Sequence, residues 1–275
     1  MKTYNRIIGI TLAAFAIFLM CYSEAYAQTE NEFTVPLSDP SKRGRLKAHI
    51  NFGSVTVKGT ARKDILVKYK AAGDEEDGDQ GKTKDGLRRI GGGGMDLEVT
   101  ETGNSVVVRS GSWNNKINLE LEIPSNMDVE AKTHNDGDIM VTNIQGSVEL
   151  TNHNGEITAL NISGSVVATT YNGDVKVTFD KVTPDVPMSF TTYNGDVSVT
   201  FPAATKATLK MKTERGDIYS DFEVAFKNTG PIQKTDNKGG VYKVFIDDWK
   251  RGDINGGGPE ITMKNYNGDI YVRKK

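Results

Sequence analysis

The chain has 275 residues, a formal net charge of −2 at pH 7 and 37% hydrophobic residues. A balance this close to neutral excludes the broad basic surface of a nucleic-acid-binding protein and the polybasic segment of a membrane-surface anchor. The single cysteine, Cys21, excludes a disulfide framework and a cysteine-based metal site. Glycine is abundant, with 29 residues, which is typical of many short strands and turns.

The N-terminal segment 1–27 has the pattern of a secretory signal peptide. A basic start precedes the apolar run 7–20, and Ala25 and Ala27 are the small residues of a cleavage site. The run is short for a membrane span, and no later apolar stretch approaches that length. We therefore expect residues 1–27 to be removed with Cys21, and the mature chain to be exported to the periplasm or the cell surface.

Residues 28–43 are polar around a short apolar patch, and we interpret them as an extended lead-in to one domain that covers residues 44–275. Hydrophobic and polar residues alternate in the segments 46–50 and 117–123, which is the pattern of half-buried strands. The sequence therefore predicts a strand-rich N-terminal cap that leads into a repetitive region near Thr133.

Two segments interrupt the strand pattern. Residues 73–94 are charged and glycine-rich, and we predict a flexible loop because such a composition cannot bury a core. A phosphate-binding loop is the alternative, but no lysine-threonine pair stands in the required register and no helical pattern follows. Residues 221–259 form an insertion before the last repeat, and their apolar run 244–246 predicts a strand or short helix packed against the end of the repeats.

The most regular feature of the chain is a glycine repeat. A glycine recurs at every ninth position, and the residue after it alternates between an acid and a serine, at Gly137, Gly146, Gly155, Gly164 and Gly173. The true repeat unit is therefore a pair of nine-residue halves, one acidic and one with serine. The motif returns three times, as YNGDVSV, ERGDIYS and YNGDIYV. A fixed period of this length is the signature of a repeat architecture.

Aligning the glycines brings hydrophobic residues to alternating positions that must face a common core. This pattern predicts an all-β fold, a single-stranded right-handed β-helix or β-solenoid with turns of about 18 residues. Asparagine-glycine pairs supply corners with positive φ, and small polar residues such as Thr170 and Thr192 are suited to a side-chain hydrogen-bond ladder. One extra residue before Gly137 predicts a bulge. The charged end 273–275 is expected to cap the last turn, because an open end exposes unpaired strand edges.

The G-D-[IV]-x-V turns, the G-S-V half-turns, the ending INGGGPEITMKNYNGDIYVRK at residues 254–274 and the signal peptide together resemble the bacterial putative-adhesin family of unknown function, DUF4097. They are also similar to the head-domain autotransporter adhesin-like repeats. The resemblance covers about residues 44–274 and implies an exported protein with a single-stranded β-helix fold. It brings no catalytic residues that could be assigned to this chain.

An aromatic column stands out because the repeat does not require it. Tyr171, Tyr193, Tyr266 and His153 lie two positions before their glycines, and an exposed stripe of this kind is a candidate surface for a sugar or a partner protein. The alternative is that the rings only shield the backbone of the corner.

The acids that follow the glycines form a second column: Asp138, Glu156, Asp174, Asp196, Asp217 and Asp269. Oxygen ligands on stacked strands could face a calcium ion, but the second glycine of the calcium-binding nonapeptide repeat is missing. We therefore favour acids that bind the amides of their own turn and face water, and we predict no metal site and no cofactor.

No catalytic arrangement is evident in the sequence. The histidines His49, His134 and His153 are dispersed, and no Ser-His-Asp set or metal-ligand spacing occurs. His134 and His153 fall one turn apart and could approach each other, which we interpret as a surface pair. Two RGD tripeptides, at 215–217 and 251–253, are interpreted as chance matches, the first in a repeat turn and the second in a more accessible glycine-rich loop.

We therefore predict a non-enzymatic, exported envelope protein that provides a binding or structural surface and is adhesin-like in a loose sense. The expected partner is a polysaccharide or an envelope or surface protein, not a nucleic acid, and the mature chain has no membrane span. The alternative is a polysaccharide-active lyase or hydrolase on the same scaffold, although the acids are spread one per turn without a matching basic column.

Overall fold

The computed structural model describes residues 31–71, 83–84, 87–88, 96–227, 232–236, 243–247 and 249–275. In these residues every regular element is a strand, and no helix is present that could cross a bilayer. Residues 31–275 form one compact unit. The predicted signal peptide lies outside the described residues, as does most of the predicted loop 73–94, of which two short paired strands are described.

The strands of the first half are β1 (Asn31–Pro36), β2 (Arg45–Ile50), β3 (Val55–Thr60), β4 (Asp64–Ala71), β5 (Thr83–Lys84), β6 (Leu87–Arg88), β7 (Glu98–Thr102), β8 (Ser105–Ser110), β9 (Ile117–Pro124), β10 (Asp128–Lys132), β11 (Ile139–Thr142) and β12 (Ser147–Thr151). Those of the second half are β13 (Ile157–Thr169), β14 (Val175–Val182), β15 (Met188–Thr191), β16 (Val197–Phe201), β17 (Ala207–Lys212), β18 (Ile218–Ser220), β19 (Ala225–Phe226), β20 (Ile232–Asp236), β21 (Lys243–Asp247), β22 (Lys250–Ile254), β23 (Glu260–Lys264) and β24 (Ile270–Lys274).

Two mainly parallel sheets, which share the long strand β13, form the body of the fold. Sheet A contains, in spatial order, β1, β4, β9, β3, β11, β13, β14, β16, β24 and β18. Sheet B contains, in spatial order, β7, β8, β2, β10, β12, β13, β15, β23, β17, β22 and β19.

The chain repeatedly passes from a strand of sheet B around a glycine corner into a strand of sheet A, and we call each such unit a layer. In adjacent layers Ile139 lies beside Ile157, one full repeat unit farther along the chain, as the repeat predicts. The spacing is longer between Val175 and Val197, where an extended loop joins the layers. The all-β, solenoid-like fold predicted from the sequence is thereby confirmed. The extra residue of the first repeat is accommodated at the corner, where Asp136 has a φ of 48°.

Both ends of the stack depart from the order of the sequence. At one end, the layer β2–β3 lies between β8–β9 and β10–β11. At the other end, the last strands of the chain, β23 and β24, lie between β15–β16 and β17–β18. The prediction that the charged end 273–275 caps the last turn is therefore wrong, because β24 has a partner strand on each side.

Antiparallel strands cover the outermost layers instead. At the N-terminal end, β7 pairs with β8 and β4 pairs with β9, and β1 from the predicted lead-in adds to β4. At the C-terminal end, the predicted insertion 221–259 supplies β22, which pairs with β17, and β19, which pairs with β22. The insertion also contains the hairpin β20–β21, so its apolar run 244–246 forms a strand. Exposed parallel edges are thereby reduced at both ends.

Inward-facing side chains from the two sheets meet in a narrow apolar core. Most are Val, Ile, Leu and Ala from the alternating positions of each strand. Three phenylalanines are fully buried in this core, where Phe179 stacks on Phe201 with ring centroids 5.3 Å apart and meets Phe190 edge-on at 6.4 Å. Full burial of a side chain of this size contributes about 1.5–3 kcal/mol relative to exposure. The layers are held together mainly by this core and by the backbone ladders.

At the corners, adjacent backbones approach so closely that only glycine fits. A Cβ atom on Gly173 would collide with the carbonyl oxygen of Gly155, and one on Gly195 would collide with that of Gly173. Gly173 also has a φ of 141°, which residues with a side chain rarely adopt. The polar residue three positions before the glycine binds the same carbonyl groups, since Thr170 Oγ1 donates to Gly155 at 3.0 Å and Thr192 Oγ1 to Gly173 at 2.8 Å.

The substitution Gly173→Ala tests this close approach. We expect a loss of at least about 2 kcal/mol in the free energy of unfolding, because the new methyl group must push two layers apart or strain the corner. Urea unfolding followed by circular dichroism measures the loss. The control is Ser189→Ala on the outer face of sheet B, with an expected change within about 0.5 kcal/mol. Equal unfolding midpoints for the two variants would contradict the model of the corner.

Candidate functional site

The aromatic residues singled out by the repeat, together with His134, form one continuous stack along the corner of the solenoid. We call it the aromatic ladder, and its order is His134, His153, Tyr171, Tyr193 and Tyr266. Successive ring centroids lie 4.5, 5.2, 4.8 and 4.7 Å apart, and successive planes differ by 3°, 18°, 2° and 2°. The structure thus brings the predicted aromatic column together as a single surface.

The backbone repeat explains the stacking. Paired strands lie about 4.8 Å apart, which is within the range of centroid distances that stacked aromatic rings adopt. Each tyrosine stands two positions before its glycine, so the corner gives it the same orientation in every layer. His134 stands three positions before Gly137, and the positive φ of Asp136 absorbs the extra residue, so that His134 still joins the stack.

Different groups close the two ends of the ladder. Trp113, from the loop between β8 and β9, contacts His134 with ring centroids 5.2 Å apart and planes at 82°. At the other end the guanidinium carbon of Arg215 lies 5.5 Å from the centroid of Tyr266. Trp113 is 56% exposed, more than Tyr171 at 44% or Tyr193 at 39%.

Stacking restricts what the ladder can bind. His153, Tyr171 and Tyr193 have a ring on each face, so they present ring edges, a ring nitrogen or hydroxyl groups to solvent. A sugar that packs its apolar face on an aromatic ring needs a ring face without a neighbour. Trp113 is set across the stack and more than half exposed, so it supplies the largest accessible ring surface.

A shallow polar groove lies along the glycine corners of the first layers, and one of its lining residues, Lys116, belongs to the same loop as Trp113. Its lining includes Ser54, Lys116, Asp136, Asp138 and Asn154. Lys116 Nζ contacts a carboxylate oxygen of Asp136 at 2.9 Å, and the two side chains are 30% and 68% exposed. The groove therefore offers a hydrogen-bond donor, Lys116, and several acceptors, and the donor belongs to the loop that carries the exposed indole.

An asparagine ladder fixes the corner behind the rings. Asn172 Nδ2 donates to Asn154 Oδ1 at 2.7 Å, and Asn194 Nδ2 donates to Asn172 Oδ1 at 2.7 Å. The series continues to Asn135 at one end and to Asn267 at the other. The amides of Asn154, Asn172 and Asn194 each donate and accept along the stack, which holds the adjoining aromatic residues in register.

The acid column runs along the other side of the glycines. Asp174 Oδ1 accepts the backbone N–H of Asp196 at 2.8 Å, and Asp138 Oδ1 accepts that of Glu156 at 2.8 Å. The same bond joins Asp196 to Asp269 and Asp269 to Asp217. Four of the six carboxylates thus bind amides of the next layer, whereas the sequence suggested those of their own turn. The carboxylate of Glu156 instead accepts from Thr158 Oγ1 at 2.6 Å. In the described part of the chain, no three His, Cys, Asp or Glu side chains are grouped to hold a metal ion.

The two RGD tripeptides lie in different settings. Residues 215–217 form the corner between β17 and β18, as predicted. Residues 251–253 lie in β22, between β17 and β19, with Gly252 buried, so the prediction of an accessible loop is wrong. Asp253 Oδ1 accepts from Thr208 Oγ1 at 2.7 Å and contacts Lys227 Nζ at 3.0 Å. Its carboxylate is therefore held by the fold.

A second set of charges surrounds Glu130 on the outer face of sheet B. Glu130 is 7% exposed and contacts Lys132 Nζ at 2.7 Å, His49 Nε2 at 3.1 Å and Arg45 Nη2 at 3.5 Å. Burial raises the pKa of Glu130, but the attraction of Lys132 and His49 outweighs it, and the pKa is lowered. Burial lowers the pKa of His49, and Glu130 opposes that shift only in part.

Both of these shifts act on stability in the same direction. A lowered pKa means that the folded chain binds fewer protons than the unfolded chain. For His49 the free energy of unfolding is therefore highest above pH ~6.5, where the ring is neutral in both states, and it falls as the pH drops from there towards the folded pKa. The stabilisation from Glu130 is present above pH ~4.3 and is lost at more acid pH.

The sequence patterns missed three contributors to the ladder. Trp113 and Arg215 lie outside the aligned aromatic column, and His134 is shifted by one residue. Only the one-layer distance between His134 and His153 hinted at their approach. The indole of Trp113 comes from a loop, and the guanidinium of Arg215 comes from the layer β17–β18, which lies beyond the inserted last turn. No regular spacing in the sequence therefore relates either group to the column.

Comparison with known proteins gives a family match for part of the chain. Residues 125–255 match the model of the family Toastrack DUF4097, which confirms the resemblance to DUF4097 over this segment. No curated protein matches the chain.

Two solved structures are similar at low identity. A putative cell adhesion protein from Clostridium sporogenes ATCC 15579 shares 12% identity, over 89% of this chain and 99% of that one, with a TM-score of 0.45. A putative adhesin from Bacteroides fragilis NCTC 9343 shares 10% identity, over 89% of this chain and 96% of that one, with a TM-score of 0.36.

The variant Glu130→Gln tests the charge cluster. We expect the pKa of His49 to fall further, because the charged neighbours that remain around it, Lys47 and Lys132, disfavour the imidazolium form. An NMR titration of the ring protons of His49 measures the pKa. Glu149→Gln is the control, since Glu149 lies one strand farther from His49 and contacts Lys132 at 3.9 Å. A pKa of His49 that rises in the Glu130 variant would refute this account.

Proposed function

On the premise that residues 125–255 are a DUF4097-like Toastrack segment, we propose that the chain is an exported, non-enzymatic envelope protein that binds an extended polysaccharide along one corner of its solenoid. The predicted signal peptide 1–27 supports export. The scaffold that we infer is a right-handed, single-stranded coil with turns of about 18 residues. The pairing of Ile139 with Ile157 in adjacent layers is consistent with a coil of this period.

The observation that carries the proposal is the aromatic ladder with its exposed Trp113 end. The stack crosses five layers, so it presents edges and hydroxyl groups at intervals of 4.5–5.2 Å along one line. A regular line of groups suits a ligand that is itself long and repetitive. Stacked rings lose little conformational freedom on binding, because their positions are already fixed by their neighbours.

The groove supplies the polar part of the proposed site. A pyranose ring has an apolar face for the indole of Trp113 and hydroxyl groups at its rim. In this proposal Lys116 donates to such hydroxyl groups and the carboxylates of Asp136 and Asp138 accept from them, since all three side chains line the groove. Apolar contact with a few convergent polar groups is the usual composition of a small-molecule subsite.

The electrostatics support binding without cleavage. A glycosidase or lyase needs a carboxyl group with a raised pKa, or a base close to the scissile bond. The pKa values of four carboxyl groups are lowered by the hydrogen bonds that these groups accept, at Asp39, Glu101, Glu130 and Asp253. The regular amide bonds of the acid column favour a structural role for its members.

The variant Trp113→Ala tests the proposal. Affinity electrophoresis in gels that contain acidic or neutral polysaccharides should show retention of the wild-type chain on at least one of them. We expect Trp113→Ala to bind at least tenfold more weakly, which corresponds to about 1.4 kcal/mol, because the stacking surface is lost. In parallel, an assay for reducing ends and for unsaturated products should show no cleavage.

The matched control is Tyr219→Ala. Tyr219 is an exposed tyrosine that stacks on Tyr271 with centroids 5.2 Å apart, away from the ladder, so its removal should leave retention unchanged. Three outcomes count against the proposal. The Trp113 variant is retained as strongly as the wild type, the polysaccharide acquires new reducing ends, or the protein is retained by envelope proteins but by no polysaccharide. The last would favour a protein partner, and new ends would favour the enzymatic alternative.

A further inference from the structure

The last turn of the chain is inserted into the stack and not appended to its end. β23 pairs with β15 on one side and with β17 on the other, and β24 pairs in the same way with β16 and β18. All four pairings are parallel. The outer layer β17–β18 thus precedes the last turn in the sequence, but the last turn lies between that layer and β15–β16. We call the space between these two layers the slot.

The last turn is held in the slot by the same amide–carboxylate hydrogen bonds that join the other layers. On one face the N–H of Asp269 donates to Asp196 Oδ1 at 2.8 Å, and on the other the N–H of Asp217 donates to Asp269 Oδ1 at 2.8 Å. The same bond, also 2.8 Å long, joins Asp196 to Asp174 within the regular stack. Either face of the slot is therefore complementary to any chain that presents this turn.

The other hydrogen bonds of the last turn are also those of the regular layers, in which a corner side chain donates to a glycine carbonyl group. Asn265 Nδ2 donates to the carbonyl oxygen of Gly195 at 3.1 Å, and Thr213 Oγ1 donates to that of Gly268 at 2.9 Å. A Cβ atom on Gly268 would collide with the carbonyl oxygen of Gly195. The apolar residues of the inserted turn are buried in the core: Ile261, Met263, Ile270 and Val272.

A glycine-rich linker leads into the inserted turn. β22 and β23 lie on opposite sides of β17, so residues 255–258 must cross the start of that strand. The crossing is tight, since Gly256 and Gly257 have φ values of 88° and 85°, and a Cβ atom on Gly258 would lie 2.6 Å from the carbonyl oxygen of Lys206. Fully extended, the linker would reach about 17 Å, far enough to leave the slot of the same chain.

We propose that residues 259–275 are an exchangeable closing turn, and that the slot between β15–β16 and β17–β18 accepts the same turn from a second copy of this chain. The bonds on both faces are those of the repeat, so a turn supplied by the second copy satisfies them as completely as the chain's own. Exchange of an identical element is a low-cost route to a dimer, and the glycine linker is its hinge. The assembly does not depend on polysaccharide binding.

Deletion of Gly256 and Gly257 from the full chain tests the exchange. The deletion removes the two positive-φ glycines that form the tight crossing, so the last turn can no longer enter its own slot by this path. We therefore expect it to enter a second copy and the mass from light scattering to double, with an unchanged circular dichroism spectrum. The control deletion removes Asp185 and Val186 from the loop between β14 and β15, and it should leave the mass at that of the wild-type monomer. A folded monomer with the shortened linker would overturn the proposal.

A peptide experiment decides the matter if the shortened chain does not fold. The full wild-type chain is refolded from urea with an excess of a fluorescent peptide of residues 259–275. We expect the peptide to be retained on size-exclusion chromatography, and the displaced turn to become sensitive to proteolysis in the linker. The same peptide with Gly268→Val should not be retained, because its side chain collides with Gly195. Retention of neither peptide, or equal retention of both, would overturn the proposal.

Discussion

The contact on which the rest of the structure depends is the approach of glycine backbones at the corners. There is no room for a Cβ atom between Gly173 and the carbonyl oxygen of Gly155, and the same holds in the neighbouring layers. This close approach lets threonine or asparagine side chains reach the glycine carbonyl groups, and it allows aspartates to bind the amides of the next layer. A backbone stacked in this way gives every column of side chains the same short repeat.

The candidate binding surface is a consequence of that repeat. Rings that are repeated at the spacing of β-strands stack, so the aromatic ladder is rigid and its interior members present only edges and polar atoms. Accessible ring surface is concentrated at Trp113, where the regular pattern ends and a loop contributes the residue. The regular layers therefore supply a fixed row of stacked rings. The loop at the end of the row supplies Trp113, the aromatic side chain with the most exposed surface in this row.

The ends of the solenoid obey a different constraint. A parallel stack leaves unpaired strands at both ends, and in the described residues three of the four end strands, β9, β8 and β17, are covered by the antiparallel strands β4, β7 and β22. To place those strands, the chain leaves the order of the sequence at both ends. The last turn is then paired on both faces, although it is joined to the stack by a single glycine-rich linker.

By itself the sequence determined the all-β, solenoid-like fold, the inward and outward faces of each strand and the aromatic column. These follow from local rules, because the nine-residue glycine spacing and the alternation of Val and Ile act within one layer and its neighbours. It did not reveal the insertion of β23 and β24, the place of Trp113 on His134 or the burial of the second RGD in β22. All layers carry the same bonding pattern, so the order in which they stack is decided by the antiparallel strands and linkers that meet only in the folded chain.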